Sequence, residues 1–119
     1  MEKIEKVNIN IFQKVGDNSA TTSEDGEIIF RMITIAFKNN KDVILDFNNI
    51  NLIASVFLNA SIGQLYNDYD GAYLKKHLKI ENMQNEDKEI LKDVIERAKE
   101  YFKDKEQFER TVKKSLDEE

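Results

Sequence analysis

Val7, Ile9 and Ile11 alternate with Asn8, Asn10 and Phe12. A period of two with β-branched residues predicts a strand with one buried face. Gly16-Asp17-Asn18-Ser19 has the chemistry of a turn. Thr22-Ser23-Glu24-Asp25 then offers a capping hydroxyl and two acids suited to a first helical turn. Ile28, Ile29, Met32, Ile33, Ile35, Ala36 and Phe37 predict a broad apolar face on the helix that follows. Asn39-Asn40-Lys41 ends that helix, because Asn tolerates left-handed backbone at a helix C-terminus.

Val43-Ile44-Leu45-Asp46-Phe47 is nearly continuous in its apolar character, a pattern expected of a central strand covered on both faces. Asn48-Asn49 predicts a turn and Ile50 to Ile53 a short extended piece. Ser55 stands in an N-cap position. Phe57, Leu58, Ile62, Leu65 and Tyr66 follow it at helical spacing. Gly63 within this helix costs about 1 kcal/mol relative to Ala, so a close approach to the sheet is expected there. Asp68 to Gly71 ends the helix, and Leu78 to Met83 reads as a further strand. Asn85 caps a final helix, with Glu86, Asp87 and Glu89 in its first turn. Strands alternating with helices predict an α/β sandwich whose small sheet is mixed or mainly parallel and flanked by helices.

Charge divides the chain. Of its 119 residues, the 35 from Asn85 onward hold 12 acidic and 9 basic side chains. The expected organisation is a domain over 1–102 and a charged helical extension over 103–119. Leu91, Val94, Ala98, Tyr101, Lys105, Phe108, Val112 and Ser115 approach a heptad seam, interrupted at Lys105 and Ser115. Two readings follow. Either Phe108, Val112 and Leu116 dock back as a short final helix, or the extension grips a partner or a second copy in a homodimer. Asp93–Arg97 and Lys92–Glu96 are spaced as favourable i,i+4 pairs, as are Glu106–Arg110 and Glu109–Lys113.

The net charge of −5 argues against nucleic-acid binding, which neutralises phosphates with Lys and Arg. No apolar run approaches the ~18–20 residues that span a bilayer. The charged start, Met1-Glu2-Lys3-Ile4-Glu5-Lys6, is unlike a signal peptide, so a cytoplasmic protein with no membrane partner is expected. With no cysteine, disulfides, iron–sulfur clusters and thiol nucleophiles are excluded. One histidine excludes a multi-histidine metal site within one chain. No cofactor, metal site or catalytic residue is expected.

The stretch from Val43 to Phe57 resembles the STAS superfamily, which includes the bacterial anti-sigma-factor antagonists. It is most similar to a prokaryotic STAS-like family of unknown function. The matching residues are Leu45-Asp46-Phe47, Ser55 and Phe57. The resemblance implies the STAS-like α/β fold from about Val7 to Phe102. It also implies a regulatory role through another protein, such as a histidine-kinase-like ATPase. In the antagonists a serine at the position of Ser55 is phosphorylated by the partner kinase. Ala54, Val56 and Phe57 stand here where those proteins have Asp, Ser and Gly.

The expected function is that of a non-enzymatic protein-interaction module. Ser55, Asn48, Asn49, Asn51 and Phe57 are the candidate partner-binding residues, with Ser55 either a helix cap or a phosphosite. The alternative is a ligand-binding or enzymatic pocket near Asp46 and Ser55. Asp46 in an apolar strand needs partners for its carboxylate. Its expected place is the strand end, accepting hydrogen bonds from the turn or helix beyond. His77, among Lys75, Lys76 and Lys79, reads as a solvated residue. Asp68 and Asp70 beside Gly71 read as ordinary loop acids.

Overall fold

The computed structural model describes residues 4–117, with side chains described for residues 4–103. Three strands form its main sheet: β1 (Lys6–Asn10), β3 (Asp42–Asp46) and β5 (Leu78–Glu81). They lie in the order β1-β3-β5 and all pairs are parallel. Ile9, Leu45 and Ile80 fall in one row of the register, and Val7, Val43 and Leu78 in another. These rows face the core, where Ile9, Val43 and Leu45 are wholly buried. The other face carries exposed Asn8 and Lys79 on either side of half-buried Ile44. β3 is therefore central but covered on one face only, contrary to the expectation from its apolar run. Asp42 and Asp46 share the open face with Ile44, so the run retains the period-two alternation of a two-layer fold.

β1 is shorter than its alternation suggests. The Asn10 side chain accepts from the Gln13 N–H at 2.9 Å and starts a short helix, α1 (Ile11–Val15). Gly16 closes it with φ at 79°, a conformation open to Gly at little cost. A second, two-residue ribbon follows, in which β2 (Ser19–Ala20) pairs in parallel with β4 (Leu52–Ile53). Each ribbon strand leads into a helix, α2 (Ser23–Lys38) and α3 (Ser55–Ser61). A 3-10 turn, Gly63–Asn67, continues α3. α4 (Gly71–His77) and α5 (Asn85–Asp117) complete the fold.

Thr22 caps α2, its Oγ1 accepting from the Asp25 N–H at 3.1 Å. The buried stripe of α2 runs through Gly26, Ile29, Ile33, Ala36 and Phe37. Ile28 and Ile35 lie outside it and are exposed, so the apolar face is narrower than the composition of the helix implies. The helix ends as expected at Asn39, with Asn40 at φ 59°.

α2 and α3 pack closely at Gly26. A Cβ added at Gly26 would lie 2.6 Å from the Phe57 carbonyl oxygen and 2.7 Å from the Ala60 Cβ. Gly63 serves a different contact from the one expected. Its nearest neighbours are the Asn59 side chain and Val94 of α5, not the sheet. At the far end of α2, Phe37 meets Tyr69 and Tyr73 edge-on, with centroids 5.1 and 5.3 Å apart.

α4 is capped by Asp70, which accepts from the Tyr73 N–H at 2.7 Å, so this acid has a structural role. His77 ends α4 and is not a solvated loop residue. Its Nδ1 shares a 2.7 Å hydrogen bond with Asp42 Oδ1, and its ring packs against Tyr73. α5 is one helix across the expected 102/103 boundary, with no separate final helix before Asp117. Leu91, Val94 and Ala98 of the seam are buried in the body, whereas Tyr101 is 63% exposed. The side chains of the seam beyond Lys103, and the pairs Glu106–Arg110 and Glu109–Lys113, lie outside the described residues. The pairs Asp93–Arg97 and Lys92–Glu96 do not form. Among the described residues the one Lys or Arg ion pair is Lys41–Glu5, and Asp42 meets His77 through their hydrogen bond. Exposed i,i+4 pairs are worth only a few tenths of a kcal/mol, too little to hold these side chains together.

Replacing Gly26 with Ala forces α2 and α3 apart against backbone. Overpacking of this kind costs about 1–3 kcal/mol, more than the ~1 kcal/mol that Ala gains as a helix former. Gly26→Ala is expected to lower the urea midpoint without changing the slope of the transition, whereas Ile35→Ala leaves it almost unmoved.

Candidate functional site

The candidate residues lie where the crossover from β3 leaves the carboxyl end of the sheet. Asp46 is the last residue of β3. Its Oδ1 accepts from the Asn48 N–H at 2.9 Å and from Asn82 Nδ2 at 2.8 Å. One carboxylate thus fixes the turn after β3 to the residue that follows β5. Phe47 N–H donates to the Glu81 carbonyl at 2.9 Å, and Ile50 N–H to the Phe47 carbonyl at 3.1 Å. Asn49 completes the turn at φ 67°, left-handed backbone that Asn adopts more readily than most residues. Asn48 and Asn49 are exposed, while Phe47 and Ile50 on either side are buried.

The chain then enters the ribbon. Asn51 N–H donates to the Asn18 carbonyl at 2.8 Å, and Ala54 N–H to the Ala20 carbonyl at 3.0 Å. These bonds tie the β3 crossover to the β1 crossover just before both helices begin. Asn51 and Leu52 are exposed and Ile53 is buried beneath them.

Ser55 is not the cap of α3. The N-cap is Ala54, whose side chain makes no capping bond, and Ser55 is the first helical residue. Its hydroxyl is therefore not committed to the helix start. Ser55 and Val56 are exposed and line a shallow groove of about 230 Å³ with Asn59 of α3 and Val94 and Arg97 of α5. Asp46 does not line this groove.

Phe57 differs from its expected place. It is 0% exposed in the core and presents no side-chain surface to a partner. At the third position of α3 it points inward, beneath the contact with Gly26. Ser55, Asn48, Asn49 and Asn51 are exposed along the segment from Asn48 to Val56, the rim of the site, in which Leu52 and Val56 are exposed apolar residues at 58% and 49%.

Arg97 and Asn59 belong to this surface and were not singled out from the sequence. Arg97 read as one half of an i,i+4 pair, and only the packing of α5 on α3 brings it to the groove of Ser55. Asn59 and Arg97 also line an adjoining groove of about 320 Å³ that reaches Tyr101 and Phe102. The surface is therefore continuous along the α3–α5 junction. No cluster of three or more metal-ligating side chains occurs among the described residues.

Asp46→Ala removes both carboxylate bonds, to the Asn48 N–H and to Asn82, and leaves the backbone bonds of the turn. A loss of about 1–2 kcal/mol is expected, since hydrogen bonds to charged acceptors exceed neutral ones and exposure discounts them. Asp46→Asn keeps an acceptor and is expected to lose less than half as much. Urea denaturation of the two variants checks this order.

A family model described as STAS-like domain of unknown function (DUF4325) matches residues 25–88, from the first turn of α2 to the first turn of α5. No curated protein and no solved structure matches the chain. The matched span contains the Gly26 contact, the β3 turn, the rim around Ser55 and β5, and the chain belongs to this STAS-like family.

Proposed function

We infer that the protein is a non-enzymatic regulatory module that works by binding another protein through the rim around Ser55. The observation that carries this reading is the pair of exposed apolar side chains, Leu52 and Val56, on either side of Ser55. Both stand on backbone fixed by the ribbon and by α3. A rigid rim with apolar centres and polar surroundings is how specific protein interfaces are composed. Asn48, Asn49 and Asn51 supply the surrounding donors and acceptors. Arg97 adds a cation at one side.

The partner suggested by likeness to the anti-sigma-factor antagonists is a histidine-kinase-like ATPase or a comparable regulator. Ser55 is the residue whose phosphorylation would switch the contact. Its hydroxyl is exposed and is not used as a helix cap. A phosphate there would add about −1.5 to −2 charges. That charge would sit beside the two apolar side chains and weaken a contact that depends on them.

Val56→Glu tests the surface without threatening the fold, because an acid is favourable in the first turn of a helix. The full chain, immobilised and incubated with native lysate in ATP or in ADP, is expected to retain a defined partner. Recovery of that partner, read by quantitative mass spectrometry, should fall at least tenfold with Val56→Glu and with Ser55→Asp. It should be unchanged with Ile35→Glu, on the exposed stripe of α2. If no retained protein distinguishes Val56→Glu from the wild type in either nucleotide, the reading fails.

A further inference from the structure

α5 has a groove on each side. One is the α3–α5 groove of the rim. The other, of about 290 Å³, lies between α4, β5 and α5 and shares no residue with the first. Its size is close to the lower bound of ~300 Å³ for small-molecule sites. Six aliphatic side chains line it, among them Leu78 and Ile80 of β5 and Leu91 and Ile95 of α5. Its only charged lining residues are two lysines, Lys75 of α4 and Lys99 of α5, in a chain that carries a net charge of −5.

Both lysines line the groove. Neither is in an ion pair among the described residues. Lys99 Nζ lies 5.7 Å from the Tyr66 ring centroid, and its end packs over the α-carbon of Gly71. A cation on an aromatic face is held in place at a cost below that of a buried ion pair, and it keeps donors for an anion. Burial pushes the Tyr66 phenol above its ordinary range, so that side chain stays neutral beside the lysines. Leu91, Ile95 and Lys99 are spaced four residues apart on α5. One helix face therefore runs from an apolar floor to a cation.

We propose that this groove binds a fatty acid, its alkyl chain against the aliphatic floor and its carboxylate at Lys75 and Lys99. The charge pattern selects among amphiphiles. A carboxylate gains charge-assisted hydrogen bonds from both ammonium groups, a neutral head gains less, and a cationic head is repelled. The apolar floor supplies affinity in proportion to the chain area removed from water. The surface around Ser55 is not involved.

The test is a nuclear magnetic resonance titration of the full chain with sodium dodecanoate below its micelle concentration. Parallel titrations use dodecanol and dodecyltrimethylammonium. Dodecanoate is expected to give saturable one-to-one shifts at Ile62, Ile80 and Ile95 and none at Val56. Lys75→Met with Lys99→Met keeps the side-chain stems and removes both charges. That double variant should bind at least tenfold more weakly while unfolding at the same urea concentration as the wild type. Equal binding of dodecyltrimethylammonium, an unchanged affinity in the double variant, or no shifts in the groove would each overturn the proposal. Shifts at the same amides on raising protein concentration alone, with dimer seen in sedimentation, would assign the groove to a second copy instead.

Discussion

Gly26 allows α2 and α3 to approach until backbone meets side chain, with no room for even a methyl group between them. The rest of the rim depends on that contact. Phe57 and Ala60 lie against it from α3, and Ser61 closes the same face with its hydroxyl donating to the Phe57 carbonyl at 2.8 Å. Both helices begin just after the ribbon, where Ser19 pairs with Leu52 and Ala20 with Ile53. Helix contact and ribbon therefore brace each other, and the start of α3 is held from two directions. A helix of seven residues would have little stability alone. It carries Ser55 and Val56 at its exposed start and Phe57 on its buried side.

The same economy appears around Asp46. On the open face of a one-sided sheet its carboxylate remains near water, yet it organises the turn that launches the β3 crossover. The two crossovers and the residue after β5 meet at this end of the sheet. Surface residues there rest on backbone held by hydrogen bonds from both crossovers. Leu52 and Val56 gain their meaning from this setting. Isolated exposed apolar residues are ordinary, but these two lie on either side of Ser55 in the sequence, on a braced segment whose serine does not cap its helix.

Much of the fold was legible in the sequence. Thr22 caps α2, Asn39 and Asn40 end it, and Asn49 adopts the left-handed turn, because local chemistry decides each of these. Periodicity predicts β1, β3 and β5 and the helices α2, α3 and α5, whereas α1, β2 and α4 are too short to carry a periodic signal. The failures have common causes. Ser55 read as a cap because Ser is a frequent one, but the ribbon sets the helix start one residue earlier. Phe57 read as surface because it belongs to the local pattern of the likeness, while helical phase turns it inward. Gly63 drew notice in place of Gly26, because a glycine near a helix start looks harmless in sequence. Asp42–His77 and the meeting of Arg97 with Ser55 join distant parts of the chain. No window along the sequence contains them.

The rim is held as a rigid platform, not a loose loop. Amide hydrogen exchange at Ala54 and Asn51 tests this most directly, since both N–H groups lie at the protein's edge and both donate across the ribbon. These two amides are expected to exchange only on global unfolding, with protection matching that of Leu45 in β3. Exchange at Ala54 and Asn51 near the unprotected rate, while Leu45 stays protected, would show that the rim opens independently and would contradict the account.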